Sequence, residues 1–183
     1  MDVMEAIKTR RSVRRFKPDP IPDEVMGEVL DAARWAPSWA NTQCWEFVVV
    51  RDQAIRQRLS EEVLAQGNPA RRGVAEAPVV VVALGKEGIS GFYKDRPVTD
   101  KGDWFMYDVG VAMQNLCLAA WGRGLGTVHV GLMDAVKAGE ILGVSPGTRV
   151  VALSPLGYPA VVGGSPPRKE IGDFVWHERY GAK

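Results

Sequence analysis

Four arginines occupy six consecutive positions near the start of the chain, within the sequence RRSVRRF of residues 10–16. A guanidinium group is always charged, and its planar fork of N–H donors fits two oxygens of a phosphate at once. Because the four charges repel one another, the cluster favours a bound anion. Three interpretations are open at this point: a solvated basic turn with surface ion pairs, a nucleic-acid contact, and a site for a phosphate-bearing cofactor.

The overall composition narrows these interpretations. The chain has 183 residues, of which 46% are hydrophobic and 25% charged; this is ordinary for a globular protein and allows one buried core. The net charge is +1, whereas a dedicated nucleic-acid binder normally carries a larger positive surplus. The composition therefore favours one bound phosphate-bearing cofactor over a nucleic acid.

Other function classes lack their usual signals. No apolar run approaches the ~20 residues of a membrane span and no signal peptide precedes the first predicted helix, so we expect a cytoplasmic protein outside the membrane. Cys44 and Cys117 are far apart, and we expect free thiols in a reducing compartment. Because His129 and His177 are also isolated, we expect no metal site.

Further polar side chains could complete a cofactor site. The loop before the first predicted strand carries hydroxyl, indole and amide groups at Ser38, Trp39, Asn41 and Gln43. Short amides and hydroxyls bond directionally to the hydroxyl and carbonyl groups of a ligand. An ordinary polar turn explains the same residues equally well, and a solvated loop explains the basic pair at 168–169.

The spacing of apolar residues indicates which elements position these side chains. We expect helices over residues 3–9, 23–35, 104–123 and 135–142, and from Asp52 onward. We expect strands over residues 45–50, 78–84, 125–130 and 148–153. The continuous apolar run 78–84 is typical of a central strand. In the longest helix, Asp103 is the expected N-cap and Gly124 the expected C-terminal stop.

The remaining segments are predicted to be irregular. Residues 66–73 and 85–103 are expected to be loops, and a loop as long as the second is usually functional or mobile. The tail, residues 158–183, has no apolar core of its own and is expected to lie on a partner subunit. Because no repeat or domain boundary is evident, residues 1–183 are predicted to form a single domain of the α+β or mixed α/β class.

Four motifs together resemble the FMN-dependent nitroreductase family. In chain order they are Arg10-Arg11-Ser12-x-Arg14, Pro37-Ser38-x-x-Asn41-x-Gln43-x-Trp45, Gln114-Asn115-Leu116, and Gly124-Leu125-Gly126 running into Val130-Gly131. The similarity extends over nearly the full chain in the family's order. It implies an α+β fold in which helices flank a mixed central sheet. It also implies an intertwined homodimer that exchanges its C-terminal strands and holds one FMN at each of two interface sites.

The resemblance implies roles for individual residues around the FMN phosphate. The residues that would hold the phosphate and the ribityl chain are Arg10, Arg11, Ser12 and Arg14, together with Arg168 and Lys169 from the far end of the chain. The loop that a second subunit would lay over the cofactor contains Pro37, Ser38, Trp39, Asn41 and Gln43. The sequence departs from the family at Cys44, where the family pattern has proline.

The flavin ring system would meet two further segments. Asn68 and Arg71 resemble the amide and cation at the pyrimidine edge of the flavin, with Arg72 as the alternative cation. A fixed positive charge there favours the reduced flavin. The backbone of His129, Val130 and Gly131 would approach the flavin near N5, and His129 is open to a structural, pocket-lining or acid–base role.

The resemblance implies no catalytic side chain, because FMN itself would carry out the redox chemistry. NADH or NADPH would reduce the flavin, and a nitroaromatic, quinone or related small acceptor would then take the electrons at the same face by a ping-pong mechanism. Flat aromatic side chains are candidates for the substrate walls: Trp39, Phe92, Tyr93 and Trp104. Packing in a core or an interface explains each of them singly. The alternative is a flavin-binding or flavin-modifying protein of the same fold without nicotinamide-driven turnover.

Overall fold

Six α-helices form within residues 1–182, the part of the chain that the computed structural model describes. They are α1 (Val3–Thr9), α2 (Asp23–Arg34), α3 (Gln53–Arg58), α4 (Arg71–Glu76), α5 (Phe105–Gly122) and α6 (Ala135–Leu142). Helix α3 continues into a π-helical turn over Leu59–Val63. The carboxylates of Asp2, Asp52 and Asp134 cap α1, α3 and α6 by accepting a backbone N–H three residues later. All five predicted helices are confirmed.

Four strands form one sheet in the order β1-β2-β6-β5. They are β1 (Trp45–Val50), β2 (Val79–Lys86), β5 (Gly126–Thr127) and β6 (Thr148–Gly157). All three strand pairs are antiparallel, and an isolated bridge between Ser12 and Thr127 adds one parallel pairing at the β5 edge. Helices mixed with this sheet confirm the α+β class.

The central strand β2 divides the core into two layers. Val80, Val82 and Leu84 belong to a cluster that also contains buried residues of the π-helical turn, α4 and α6. The alternate residues Val79 and Val81 belong to a cluster with α2 and α5 on the other face of the sheet. Successive side chains of a strand point to opposite faces, so a run of apolar residues is what a strand covered on both faces requires.

Helix α5 ends at a glycine, as predicted. The N–H groups of Gly124 and Leu125 bond to the carbonyls of Trp121 and Ala120 at 3.0 and 2.9 Å, and Gly124 has φ +76°, a conformation that favours glycine. At the other end the N-cap is Trp104, so the prediction of Asp103 is wrong by one residue. The Asp103 carboxylate nevertheless accepts the N–H of the first helical residue at 3.1 Å.

Several predicted boundaries need correction. The expected loop 85–103 contains the end of β2 and a small hairpin, β3 (Phe92–Tyr93) and β4 (Arg96–Pro97), because two non-glycine residues adopt positive φ at its turn. The expected loop 66–73 includes the start of α4. The expected strand 125–130 is reduced to β5 and a bridge between Val130 and Leu153. Strand β6 continues four residues beyond the predicted end at 153.

The tail leaves the core near its first residues. Tyr158 packs against the cluster that contains α2 and α5, whereas residues 160–175 are all exposed. A single 3₁₀ turn, Ile171–Asp173, forms there. The exchange of a C-terminal strand between subunits stays a prediction. Among the described residues, no helix has both the length and the apolar character needed to cross a bilayer.

Candidate active site

The arginine segment is held against the edge of the sheet. The N–H of Val13 bonds to the carbonyl of Thr127 at 2.9 Å, and the Val13 side chain is buried. A Cβ atom at Gly126 would lie 2.5 Å from a Val13 methyl group, so the absence of a side chain there permits the approach. Arg14 and Arg15 are exposed as a consequence.

Arg10 lies beside the strand end that carries His129. One nitrogen of its guanidinium, Nη1, is buried and has no hydrogen-bond partner among the described residues. His129 is exposed as a residue, but partial loss of water around its imidazole, together with the positive charge of Arg10, lowers its pKa. The Nε2 atom of His129 is 3.4 Å from the Sγ atom of Cys117. Burial raises the pKa of the Cys117 thiol, which therefore stays neutral.

The other predicted phosphate contacts have different surroundings. The Nη1 atom of Arg11 donates to the carbonyls of Lys8 and Arg10, both at 2.8 Å, so part of this guanidinium caps the end of α1. Ser12 is exposed next to its bridge with Thr127. The structure therefore places Arg10, Ser12 and Arg14 where they are available to a ligand and gives Arg11 a partly structural role.

The strand end and the predicted pyrimidine-edge residues come together. The Nδ2 atom of Asn68 donates to the carbonyl of Leu132 at 2.8 Å, directly after Gly131. A Cβ atom at Gly131 would meet no other atom within 4 Å, which leaves open space beside this backbone. Val130 is fixed by two backbone hydrogen bonds with Leu153, at 2.9 and 3.0 Å.

Of the two candidate cations, Arg71 is the more available. Its backbone carbonyl accepts the Ser60 hydroxyl at 2.9 Å and no ion pair forms with its guanidinium among residues 1–182, whereas Arg71, Arg72 and Asn68 all line the same cavity of about 330 Å³. Arg72 instead forms an ion pair with Glu76 at 2.6 Å, one turn later on α4. The geometry therefore favours Arg71 as the cation beside Asn68.

A second group of predicted residues forms around the loop before β1. Pro37, Asn41 and Gln43 line one shallow cavity, and the Ser38 hydroxyl accepts the N–H of Gln43 at 2.9 Å. Asn41 and Gln43 adopt φ of +56° and +47°, and Ala40 adopts +45°. Positive φ in residues other than glycine costs energy and is found most often at functional sites.

Asp108 anchors this loop from helix α5, where it is almost fully buried. Its carboxylate accepts the N–H of Trp39 at 3.1 and 3.2 Å, the Ser90 hydroxyl at 2.6 Å and the Cys44 thiol at 3.6 Å. Burial, and then the negative charge of Asp108, raises the pKa of Cys44 to about 11. Sequence reasoning missed Asp108, although a carboxylate within an otherwise apolar helix is a visible signal.

An aromatic cleft opens above Asp108. It has a volume of about 330 Å³ and is lined by Pro37, Ser38, Trp39, Trp104, Tyr107, Asp108 and Val111. The rings of Trp104 and Tyr107 meet edge to face with centroids 5.4 Å apart. Trp39 and Trp104, two of the predicted substrate-wall residues, both line this cleft, and their contact with a substrate stays a prediction. Phe92 and Tyr93 lie outside the cleft, in the hairpin whose base packs on Trp104 at Gly91.

Within one chain the two groups of site residues stay apart. Asp108 and Cys117 contact different groups and are nine residues apart on α5, which separates them by about 13 Å along the helix axis. In the tail, Arg168 and Lys169 are exposed, and Arg168 donates to the carbonyls of Pro166 and Pro167 at 3.3 and 3.5 Å. The chain alone therefore presents separate parts of a site.

The sequence is similar to known oxidoreductases along most of its length. A protein of Methanothermobacter thermautotrophicus named "Putative NADH dehydrogenase/NAD(P)H nitroreductase" is 36% identical over 168 residues, which cover 87% of this chain and 78% of the relative. NADH dehydrogenase of Thermus thermophilus is 30% identical over 188 residues, 89% of each chain. Iodotyrosine deiodinase of Nematostella vectensis is 30% identical over 175 residues, which cover 85% of this chain and 66% of the relative.

The fold is also found in solved structures. A nitroreductase family protein of Streptococcus pneumoniae superposes with a TM-score of 0.83 at 20% identity, covering 96% of this chain and all of the other. Oxidised iodotyrosine deiodinase bound to FMN and 3-iodo-L-tyrosine superposes with a TM-score of 0.78 at 23% identity over the full length of both chains. The sequence model of the nitroreductase family matches residues 7–158. The chain therefore belongs to the nitroreductase family.

Proposed function

We propose that this protein is an FMN-dependent oxidoreductase that takes electrons from NADH or NADPH and passes them to a nitroaromatic, quinone or related small acceptor. The observation that carries the proposal is the buried, unpartnered Nη1 of Arg10, whose charge acts on His129, two residues before the open backbone position at Gly131. A buried donor without a partner is costly, and a guanidinium cannot escape that cost by losing its proton. An oxygen of a phosphate would satisfy it.

The residues around Arg10 fit a flavin mononucleotide. Arg10 and Arg14 would hold the phosphate, with Ser12 available to a phosphate or ribityl oxygen. The flavin ring would occupy the open space beside Gly131, with Asn68 and Arg71 at its pyrimidine edge. Bound FMN supplies the hydride and electron transfer. The positive charge of Arg71 would stabilise negative charge that develops there, and no side chain is needed as a nucleophile or base.

A homodimer would complete each site. Asp108, which contacts the loop and the cleft, lies about 13 Å along α5 from Cys117, on which the charge of Arg10 acts, so a second subunit is a way to place both groups on one cofactor. The exposed tail supports this arrangement, since Arg168 and Lys169 would then reach the phosphate held by Arg10. Two buried free thiols, Cys44 and Cys117, fit a cytoplasmic location.

A second candidate function keeps the cofactor and changes the electron source. The similarity to iodotyrosine deiodinase, a protein named for a different activity, is the observation that supports this second candidate. In this case the protein binds or modifies flavin without turnover driven by a nicotinamide. The cleft and the phosphate site would be used in the same way, so the fold does not separate the two functions.

Anaerobic reduction separates the two candidates. The protein is loaded with FMN, mixed with NADH or NADPH, and followed by the loss of the oxidised flavin absorbance. Reoxidation by a panel of nitroarenes, quinones and enones then identifies the acceptor. We expect bleaching by at least one nicotinamide and recovery with an acceptor. Bound FMN that stays oxidised with both nicotinamides supports the second function, and failure to bind FMN overturns both.

A further inference from the structure

The aromatic cleft contains a negative charge that no cation neutralises. Asp108 is almost fully buried, and its hydrogen-bond donors are the Trp39 amide, the Ser90 hydroxyl and the Cys44 thiol, all of them uncharged. Within residues 1–182 no lysine, arginine or histidine forms an ion pair with it. Hydrogen bonds from neutral groups stabilise a carboxylate but leave its charge in place.

The groups around Asp108 reinforce its electrostatic effect. The Asp103 carboxylate, at the start of the same helix, also acts electrostatically on Cys44. The cleft walls are the rings of Trp39, Trp104 and Tyr107, and an aromatic face carries a partial negative charge that attracts cations. Charge and walls therefore act in the same direction on any molecule that enters.

We propose that Asp108 makes this cleft select flat aromatic molecules that are neutral or positively charged and discriminate against those that bear a carboxylate. The inference rests on the proposed function, of which it specifies the acceptor class. A ring that enters the cleft lies close to the carboxylate, because Trp39, Trp104 and Asp108 all line it, so a positive substituent gains and a negative one loses Coulomb energy. Asp108 is thus a specificity-determining residue.

Three probes with the same nitrophenyl ring test the charge preference. They are (4-nitrobenzyl)trimethylammonium, 4-nitrobenzyl alcohol and 4-nitrobenzoate. Their dissociation constants are measured by calorimetry on the oxidised, FMN-loaded protein without a nicotinamide. At low salt we expect the ammonium probe to bind about tenfold more tightly than the carboxylate, with the alcohol between them. Equal affinities for the three probes in the wild-type protein overturn the proposal, whatever the variants do.

Two variants separate charge from loop geometry. Asp108→Asn removes the charge and keeps the size and one acceptor oxygen of the side chain, while the other oxygen becomes an NH2 donor, and we expect the discrimination to shrink to about threefold or less. Ser90→Ala removes one donor to Asp108 but keeps the charge, so the wild-type order should persist. The matched control Asp19→Asn removes an exposed carboxylate elsewhere and should change nothing. If folded Asp108→Asn keeps the wild-type discrimination between the ammonium and carboxylate probes, the proposal is overturned.

The binding measurement also keeps this inference distinct from the proposed function. If the probes bind in the expected order but no nicotinamide reduces the flavin, the proposed function fails and the charge selectivity of the cleft stands. If NADH or NADPH drives reduction of all three probes with equal kcat/KM and equal affinity, the function stands and the role of Asp108 is overturned.

Discussion

At the scale of single residues, burial and charge conflict at Arg10. Its Nη1 atom is buried without a partner, and its charge acts on His129, whose pKa is lowered by loss of water and by this guanidinium. A cation in such a place destabilises the fold unless an anion compensates it. This observation supports the proposed contact between Arg10 and a phosphate.

The substitution Arg10→Ala tests this role. A hydrogen bond to a charged group is worth about 1.5–3 kcal/mol, so we expect the FMN dissociation constant to rise about 10- to 100-fold. Arg10→Lys keeps the charge without the planar fork and should have an intermediate effect. The control is Arg15→Ala, which removes an exposed arginine five positions later. Unchanged FMN affinity in Arg10→Ala, measured by fluorescence titration, would contradict the assignment.

The same variant should shift the titration of His129. Because the positive charge of Arg10 disfavours the imidazolium, Arg10→Ala should raise the pKa of His129 toward the ordinary value of 6.5. The folded-state pKa of wild-type His129 is lowered, so the unfolded chain binds more protons than the folded chain as the pH drops below 6.5. The free energy of unfolding therefore decreases as the pH falls from 6.5 through the lowered pKa. Proton NMR of the imidazole measures the shift by comparison of the wild type with Arg10→Ala. A fall in the pKa of His129 would contradict the electrostatic account.

Cys44 gives a pH dependence in the opposite range. Its folded-state pKa is raised to about 11 from 9.0 by burial and by Asp108, so folding favours the neutral thiol. This contribution is present below pH 9.0 and is lost as the pH rises through 11. We expect the free energy of unfolding to fall by about 1–2 kcal/mol more in the wild type than in Cys44→Ala over this interval. An equal decrease in the free energy of unfolding for the two proteins between pH 9 and 11, measured by chemical denaturation, would refute this account.

At the scale of elements, the sequence predicts the helices and strands that a local pattern determines, and it does not predict those that depend on contacts between distant segments. The unbroken apolar run Val79–Leu84 predicts a central strand, and β2 is indeed covered on both faces. Gly124 predicts the end of α5, and it adopts the positive φ that favours glycine. The turn of the 92–97 hairpin is formed by Lys94 and Asp95 with positive φ, without the glycine or asparagine that usually marks such a turn. Helix α4 likewise begins without a side-chain cap.

The candidate site was predictable to the same extent. The family motifs predict that residues 10–14 hold the FMN phosphate and that residues 129–131 approach the flavin near N5, and the structure brings Arg10 beside His129. The contacts of Asp108 were not predicted from the sequence, because its partners Trp39 and Cys44 are 69 and 64 residues away in the chain. Periodicity describes only neighbours in sequence, so a contact of that separation is determined by the packing of the whole core.

The contact between Gly126 and Val13 determines where the arginine segment lies. Gly126→Ala would place a methyl group 2.5 Å from a Val13 methyl, and overpacking of this kind costs about 1–3 kcal/mol. We also expect weaker FMN binding, because the displaced segment carries Arg10. Gly122→Ala, where an added Cβ meets nothing within 4 Å, is the matched control and should be neutral or stabilising.

A second substitution identifies the cause of that loss. Combining Gly126→Ala with Val13→Ala removes the clash, so the two substitutions together should cost less than the sum of their separate effects. Chemical denaturation measures each term of this double-mutant cycle. Strict additivity would show that Gly126 acts through its own backbone and not through its contact with Val13.

At the scale of the whole molecule, the single chain leaves a large apolar surface uncovered. Val161, Val162, Ile171 and Phe174 are all exposed in the tail, and Val3, Met4 and Ile7 are exposed on α1. Large exposed apolar side chains grouped in this way within a tail and along one helix are typical of surfaces that another chain covers. A second copy would cover these residues and would also bring the loop 37–43 of one subunit toward the Arg10 group of the other.

Ending the chain after Ala160 tests this arrangement. The core should survive, because residues 160–175 are exposed while the buried clusters lie earlier in the chain. We expect the circular dichroism spectrum to be retained, the sedimentation coefficient to fall from that of a dimer to that of a monomer, and FMN affinity to be lost. The full-length double variant Arg168→Ala/Lys169→Ala is the control: it should remain a dimer and bind FMN more weakly, because only the phosphate contacts are removed. A truncated chain that still sediments as a dimer and retains FMN would show that the tail neither joins the subunits nor completes the site.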